Sequence, residues 1–235
     1  MAKLQIETLP TDLFDANCYL LFEDGSDQVV VVDPGLGAFL QVNQRLSELG
    51  KRVGAVLLTH GHPDHVWEAA QVAGLGGENT PTYIPGPDRD WLRDPLGQLG
   101  FDQLTELPTE WVEPERVEDA PTGSWEILPH IYLNLLPAPG HSRGSAVVLI
   151  GGQVVFDGQE LQAPTAFSAD VIFAGSVGRT DLPGGDETEM RESLRTLANA
   201  LDPHTVLLPG HGPKTTWGQE LESNPYVRRA AGLKH

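Results

Sequence analysis

The sequence predicts an α/β fold in which helices cover β-sheets, and three observations carry that prediction. A strand, helix, strand succession occupies residues 29–32, 38–49 and 53–58, where apolar positions run continuously, then at helical spacing, then continuously again. A helix-then-strand pattern returns at 188–201 and 205–208. Between them, short apolar runs are separated by Gly and Pro turns, which suits sheets better than a helical bundle. A chain of 235 residues can bury a sizeable core as one such domain, so a single domain over 1–235 is expected.

Taken in order, the apolar segments 4–9 and 17–22 read as strands that precede the run Val29-Val30-Val31-Val32, which stops at the turn Asp33-Pro34-Gly35. Over 38–49, Phe39, Leu40, Val42, Leu46 and Leu49 fall near helical spacing, and Gly50 is a natural C-terminal stop. The strand 53–58 leads into a histidine-rich loop and then a helix at 64–73, with Asp64 at its start to accept orphaned backbone amides. Residues 76–126 are rich in Pro, Gly and acid and are expected to form an irregular acidic surface insertion, with a strand at 82–84 and a short helix at 88–93. Twelve Asp or Glu face three Arg between Glu78 and Glu126, the balance of a solvated surface. Strands at 130–136, 146–150 and 153–156, separated by Pro137-Ala138-Pro139-Gly140 and Gly151-Gly152, read as a meander. The helix 188–201 presents Met190, Leu194, Leu197 and Leu201 on one face, and the strand 205–208 ends at Pro209-Gly210-His211-Gly212.

A formal net charge of −18 repels phosphate backbones and anionic lipid heads, which excludes nucleic acid and membrane surfaces as expected partners. No apolar run reaches the roughly 18 to 20 residues that cross a bilayer. The N-terminal stretch MAKLQIETLP has neither the basic nor the apolar region of a secretory signal, so a cytoplasmic protein is expected. Cys18, the single cysteine, lies in an apolar run and is expected to be a buried free thiol. The oligomeric state is left open.

The chemistry concentrates in Thr59-His60-Gly61-His62-Pro63-Asp64-His65, where three imidazoles and a carboxylate follow the end of a strand. Imidazole nitrogen and carboxylate oxygen are the usual protein ligands for zinc, iron and manganese, and this spacing lets several converge without a long loop closure. His141 and His211 each occupy a glycine-flanked turn after an apolar strand, where glycine lets the backbone approach a crowded site. Five histidines thus become candidate ligands, and His130, His204 and His235 stay outside.

These residues resemble the metallo-β-lactamase superfamily, and more closely its short glyoxalase II-like hydrolases. The resemblance runs in order through Asn17-Cys18-Tyr19-Leu20, Val32-Asp33-Pro34-Gly35, the histidine cluster, Pro139-Gly140-His141-Ser142 with Gly144-Ser145, Gly178-Arg179-Thr180-Asp181-Leu182-Pro183-Gly184-Gly185-Asp186, residues 209–220 (PGHGPKTTWGQE) and Asn224-Pro225. It implies a four-layer αβ/βα sandwich of two mixed sheets flanked by helices, with two divalent metal ions, zinc or iron with manganese as a further choice, in a cleft at its edge. Positions matching His60, His62 and His141 hold one ion in that family, and positions matching Asp64, His65 and His211 hold the other. The bridging carboxylate of relatives stands nine residues before the arginine of the Gly-Arg-Thr-Asp block, which here is Asp170 before Arg179. Relatives usually have a Gly-Asp pair directly after the preceding strand, whereas this chain has Val155-Phe156-Asp157-Gly158 and then extra residues. Asp157 is therefore a rival for the bridge, against its reading as a hairpin-turn residue.

The implied activity is hydrolysis of a thioester, S-D-lactoylglutathione or a related small acyl-thiol, by a hydroxide held between the two cations, with Asp64 orienting it as well as ligating. No serine nucleophile elbow is present, and a thiolate leaving group has little need of a general acid. Asp33 reads either as a turn acid or as a partner that orients a ligand, and Thr59 either as a hydroxyl that pins the loop or as one bonded only to its local backbone. Arg179 is the candidate substrate-binding cation, with Arg143 and Lys214 behind it, although an Arg179–Asp181 pair is an equal reading. The longer glyoxalase II enzymes grip glutathione through an extra C-terminal helical region, and with 24 residues after His211 that grip is expected to be absent. The alternative activity is an iron-dependent persulfide dioxygenase using His60, His141 and Asp170, and the class-level alternative is a non-enzymatic metal-binding module.

Overall fold

The computed structural model describes residues 3–11, 15–100, 107 and 109–233. β1 (Leu4–Pro10), β2 (Asn17–Glu23) and β3 (Gln28–Val32) are successive antiparallel strands, and α1 (Ala38–Leu49) crosses over to β4 (Arg52–Leu57), parallel to β3 with Val32 opposite Leu57. The valine run is buried on both faces, as a strand with parallel pairing on one side and helices above requires. Gly50 closes α1 with a φ of 65°, its N–H bonded to the carbonyls of Leu46 and Ser47.

The predicted helix 64–73 is two short helices, α2 (Pro63–Val66) and α3 (Ala69–Gly74). Glu68 causes the break: its N–H donates to the Pro34 carbonyl at 2.9 Å and its carboxylate accepts from the Phe39 N–H at 2.6 Å. That carboxylate caps α1, whose own N-cap, Gly37, has no side chain to do so.

The segment 76–126 is a correction to the reading as an irregular insertion. After β5 (Thr82–Ile84), a 3₁₀ helix (Gly86–Arg93) and α4 (Pro95–Gln98), it supplies β6 (Val117–Asp119) to the edge of the first sheet and β7 (Gly123–Leu128) to the edge of the second. Acidic residues on an edge strand keep it from pairing with other chains, so the same acidity that reads as loop also suits an edge. Residues 101–106 and 108 of that segment lie outside the described residues.

β8 (Ile131–Pro137) and β9 (Ala146–Ile150) lie where the sequence predicts strands and pair antiparallel, and β8 also pairs with β7, which the sequence reading does not contain. The expected meander then ends. β10 (Val154–Phe156) crosses to the first sheet and runs parallel to β1, with β11 (Gln159–Leu161) beside it. Its place next to β9 is taken by β12 (Thr165–Ala169). The small hairpin β13 (Ile172–Phe173) and β14 (Ser176–Val177) leads to α5 (Glu187–Ala200), β15 (Val206–Pro209), β16 (Thr215–Thr216), α6 (Trp217–Ser223) and α7 (Pro225–Ala230).

The first sheet has the order β11-β10-β1-β2-β3-β4-β5-β6 and the second β16-β15-β12-β9-β8-β7. Alternation along the strands separates three apolar layers. Val30, Val32 and Leu57 meet Leu133, Leu135 and Phe167 between the sheets. Val29 and Val31 face Val42, Leu46 and Val72 of α1 and α3. Val147 and Leu207 lie under Met190, Leu194 and Val227 of α5 and α7. This is the four-layer αβ/βα sandwich. Cys18 is a fully buried thiol within the helix-side layer, its pKa pushed up by burial. Among the described residues no helix is long and apolar enough to cross a membrane.

Candidate metal centre

Every candidate ligand follows the C-terminal end of a strand, and β3, β4, β8, β12 and β15 all deliver their loops to one edge of the sandwich. Beyond β4, the loop is fixed by Asp33, which ends β3: Asp33 Oδ1 accepts from the Thr59 N–H at 2.8 Å and Oδ2 from the Thr59 hydroxyl at 2.7 Å. The Thr59 hydroxyl in turn lies 3.1 Å from Nδ1 of His60, and Asp33 Oδ2 lies 3.1 Å from Nδ1 of His65. Asp33 thus acts on two histidines at once. Its φ of 50° places it in the left-handed region that Asp tolerates better than most residues.

His60, His62 and His141 bring their ligating nitrogens within 4.8 Å of one another, and so do Asp64, His65 and His211 with their ligand atoms. Asp170 stands between the two groups. Its Oδ2 is 3.5 Å from Nε2 of His141 and 3.5 Å from Nε2 of His211, and its Oδ1 is 3.4 Å from Nε2 of His65. Asp157, the rival acid, is in the turn from β10 to β11, where it accepts from the Thr8 N–H at 3.0 Å and the Thr8 hydroxyl at 3.3 Å. Its place is that of the turn residue.

Three buried imidazole nitrogens, Nε2 of His60, His62 and His141, make no hydrogen bond, and neither does Asp170 Oδ1. An orphaned buried polar atom costs on the order of 1–3 kcal/mol, so three such nitrogens gathered within 4.8 Å of one another call for a partner that satisfies all of them. A divalent cation is that partner. The ligand set, imidazole nitrogen with carboxylate oxygen in two groups sharing an acid, fits two such ions. His141 is held in the required tautomer, because its Nδ1 lies 2.8 Å from the Arg179 carbonyl and donates to it, leaving Nε2 as a lone pair.

The electrostatics divide the two groups. Burial pushes His60 well below its ordinary value and takes His62 down to about 3, so both present neutral nitrogens. At His65 burial also opposes charge, but Asp170 and Asp64 outweigh it and hold the imidazole well above its ordinary value. The same opposition, with hydrogen bonds to Asp170 and Asp64 prevailing, raises His211 to about 9. Burial pushes Asp64 and Asp170 upward, yet the neighbouring imidazoles, His65 foremost, keep both below the usual carboxylate range. Protons on His65 and His211 therefore occupy the role that a cation would take.

Glycines permit the crowding. A Cβ at Gly210 would strike Asp170 Oδ1 and stand 2.8 Å from the His65 ring, and one at Gly35 would strike the Asp64 carbonyl. The His211 loop is also tied across the sandwich: Asn17 Nδ2 donates to the carbonyls of Pro209 and Gly212 at 3.0 and 2.9 Å, and the Tyr19 hydroxyl to Pro209 at 2.6 Å. Asn17 and Tyr19 belong in the sequence to an apolar run and to the first block that carries the resemblance, neither of which gives them a role. Asp88 is a residue the sequence reading missed; it is fully buried and reaches two of the ligand loops. Nothing local distinguishes it among the acids around it.

The centre opens into a cleft of about 390 Å³, with Leu99, Phe173 and Leu182 as its apolar lining and Arg179 at its border. The Arg179 guanidinium is paired with Asp181 at 2.7 and 2.8 Å, an exposed pair. Lys214 lies over the Phe156 ring at 4.7 Å, and Arg143 borders a separate hollow with Trp91 and Pro183.

The metallo-β-lactamase superfamily model matches residues 11–211, and the chain belongs to that superfamily of metallo-hydrolases. An uncharacterised protein of Mycobacterium tuberculosis is 36% identical over 225 residues, 94% of this chain and 97% of its own length. Hydroxyacylglutathione hydrolase GloC of Haemophilus influenzae is 31% identical over 229 residues, 95% of this chain and 98% of its own. Among solved structures, the BLEG-1 B3 metallo-β-lactamase matches with a TM-score of 0.77 at 30% identity, covering 94% of this chain and 99% of its own. TTHA1623, crystallised in a di-iron-bound form, matches with a TM-score of 0.73 at 28% identity, covering 93% and 98%.

Proposed function

We propose that the protein is a metal-dependent thioesterase of the glyoxalase II type, acting on S-D-lactoylglutathione or a related small acyl-thiol. The observation that carries the reading is Asp170 within 3.5 Å of histidines from both ligand groups, which is the arrangement a shared carboxylate needs. The likeness to GloC over nearly the full length of both chains supports the choice of thioester.

When bound, two divalent cations, zinc, iron or manganese, supply an acidified water and a Lewis-acidic position for the charge that develops on an acyl oxygen. The chain's own residues do the rest. His60, His62 and His141 would hold one ion, and Asp64, His65 and His211 the other, with Asp170 shared. Asp64, which would stay ionised with a cation in place of the His65 and His211 protons, can accept a hydrogen bond from the attacking water and fix its direction. Leu99, Phe173 and Leu182 exclude bulk water around the acyl group. The thiolate leaves with a conjugate-acid pKa near 8.5, so no side chain need protonate it. Arg179 is the cation proposed to meet the carrier's anionic end, since an exposed pair such as Arg179–Asp181 is worth roughly 0–1 kcal/mol and exchanges readily.

A panel of acyl-thiols, a β-lactam and glutathione persulfide, assayed with metal-loaded protein, tests the reading. Thioester cleavage with no oxygen uptake is expected. Oxygen consumption with the persulfide would replace the hydrolase with the dioxygenase built on His60, His141 and Asp170, and inertness towards all of them would return the chain to a binding role.

A further inference from the structure

Asp88 is 0% exposed and no cationic side chain pairs with it among the described residues, so a carboxylate has been buried on hydrogen bonds alone. It has three. Oδ2 accepts from the Gly61 N–H at 3.0 Å and from the Ser142 hydroxyl at 2.6 Å, and Oδ1 accepts from the Gly144 N–H at 2.6 Å. Gly61 separates His60 from His62, while Ser142 and Gly144 follow His141. One carboxylate therefore joins the loop beyond β4 to the loop beyond β8, and these two loops carry the whole of one ligand group.

Around it the packing is closed. The Ser142 hydroxyl lies 2.7 Å from that of Ser145, and the Ser145 oxygen accepts from the Ser142 N–H at 3.0 Å. Trp91, on the same 3₁₀ helix as Asp88, sets its ring edge-on to His62 with centroids 5.0 Å apart, and it fills the space that a Cβ at Gly61 would need. The other ligand group has supports of its own, the Gly35 turn against Asp64 and Asn17 with Tyr19 on the His211 loop, while Asp33 serves both groups, directly at His65 and through Thr59 at His60. None of those involves Asp88.

We propose that Asp88 is the positioning residue of one half of the metal centre, clasping the His60–His62 loop to the His141 loop and thereby setting the metal affinity of that half alone. The inference rests on the two-ion reading above. A buried carboxylate is a costly choice for mere packing, since an apolar residue of similar volume is usually no less stabilising. Its geometry is repaid where two loops must hold three nitrogens at one point. Outer supports of metal ligands typically change affinity by about 10–100-fold when removed.

Dinuclear protein is dialysed against a graded series of chelator concentrations, and retained metal is counted for wild type, Asp88→Ala, Asp88→Asn and Ser142→Ala, with His141→Ala and His211→Ala as reference profiles. Asp88→Ala is expected to release one of its two ions at a chelator concentration about 10–100-fold below wild type while the second leaves where wild type loses it. The cobalt(II) spectrum of the one-ion form should match that of His141→Ala and differ from that of His211→Ala. Asp88→Asn and Ser142→Ala should shift the same ion by less, and they read the split if Asp88→Ala does not fold. Folded variants that lose both ions in parallel, or lose neither early, overturn the proposal. Wild-type protein that retains fewer than two ions overturns the two-ion reading and this proposal with it, and that failure is seen in the wild type alone.

Discussion

Nδ1 of His65 lies 3.1 Å from Oδ2 of Asp33, so the imidazole turns its other nitrogen towards Asp64, Asp170 and His211. The same Asp33 oxygen takes the Thr59 hydroxyl, which leaves one carboxylate fixing the direction of a ligand and the path of the ligand loop. Asp33→Asn keeps the left-handed backbone accessible but removes the negative charge that orients the His65 ring. Metal retention against chelator is expected to weaken by about 10–100-fold, with secondary structure by circular dichroism unchanged.

Proton release gives a second prediction. In the metal-free protein His211 titrates at about 9 and His65 is held well above its ordinary value, so at pH 7.5 both carry protons that ligation must displace. His60 and His62, pushed down by burial, carry none. Calorimetry in buffers of different ionisation enthalpy should find at least about two protons released on full loading, two from the imidazoles and any more from the acidified water, and affinity for the Asp64, His65 and His211 group should fall as pH drops below about 9. For the metal-free fold the sign is opposite at the two sites. The stability that His211 gains from its carboxylates is complete below about pH 6.5 and is lost as pH rises through about 9. At His62, the unfolded chain takes up a proton below about pH 6.5 that the fold resists until about 3, so stability falls with pH across that window.

Asp170 and Asp157 are separable by substitution. Asp170→Ala removes the acid common to both ligand groups and should leave thioesterase activity down by at least about 100-fold, with at most one ion retained. Asp157→Asn touches only the Thr8 contacts and should hold activity within about twofold while costing stability on the order of 1 kcal/mol in denaturant titration.

Gly210→Ala tests the crowding at the shared acid. Its Cβ would meet Asp170 Oδ1 and the His65 ring, so Asp170 would have to turn away from the position it holds. Loss of the second equivalent of metal is expected, and a folded variant with two tightly held ions would refute the assigned role of Asp170.

How much of this was legible in the sequence depended on whether the deciding interaction was local. The valine run of β3, the helix spacing of α1 with its Gly50 stop and the histidine cluster are local, and all lie where the sequence put them. β10 is not: Gly151-Gly152 reads as a hairpin turn, but pairing with β1, nearly 150 residues earlier in the chain, draws the strand into the other sheet. β12 carries no signal beyond a mixed apolar run, although Asp170 directly follows its last residue, Ala169, whose φ is 47°. A non-glycine residue in that region is strained, and only the packed surroundings reveal it. Asp170 was reached through its distance along the chain from Arg179, as the resemblance implies, while Asp88 was hidden because an acidic segment gives no sign of which acid is buried.

Zinc titration of the metal-free protein, with cleavage of S-D-lactoylglutathione followed at each addition, ties metal occupancy to turnover. Two equivalents should bind, with hydrolysis rising as the second enters and vanishing on chelation. Saturation at a single equivalent, or full loading with every acyl-thiol left intact, would contradict the account.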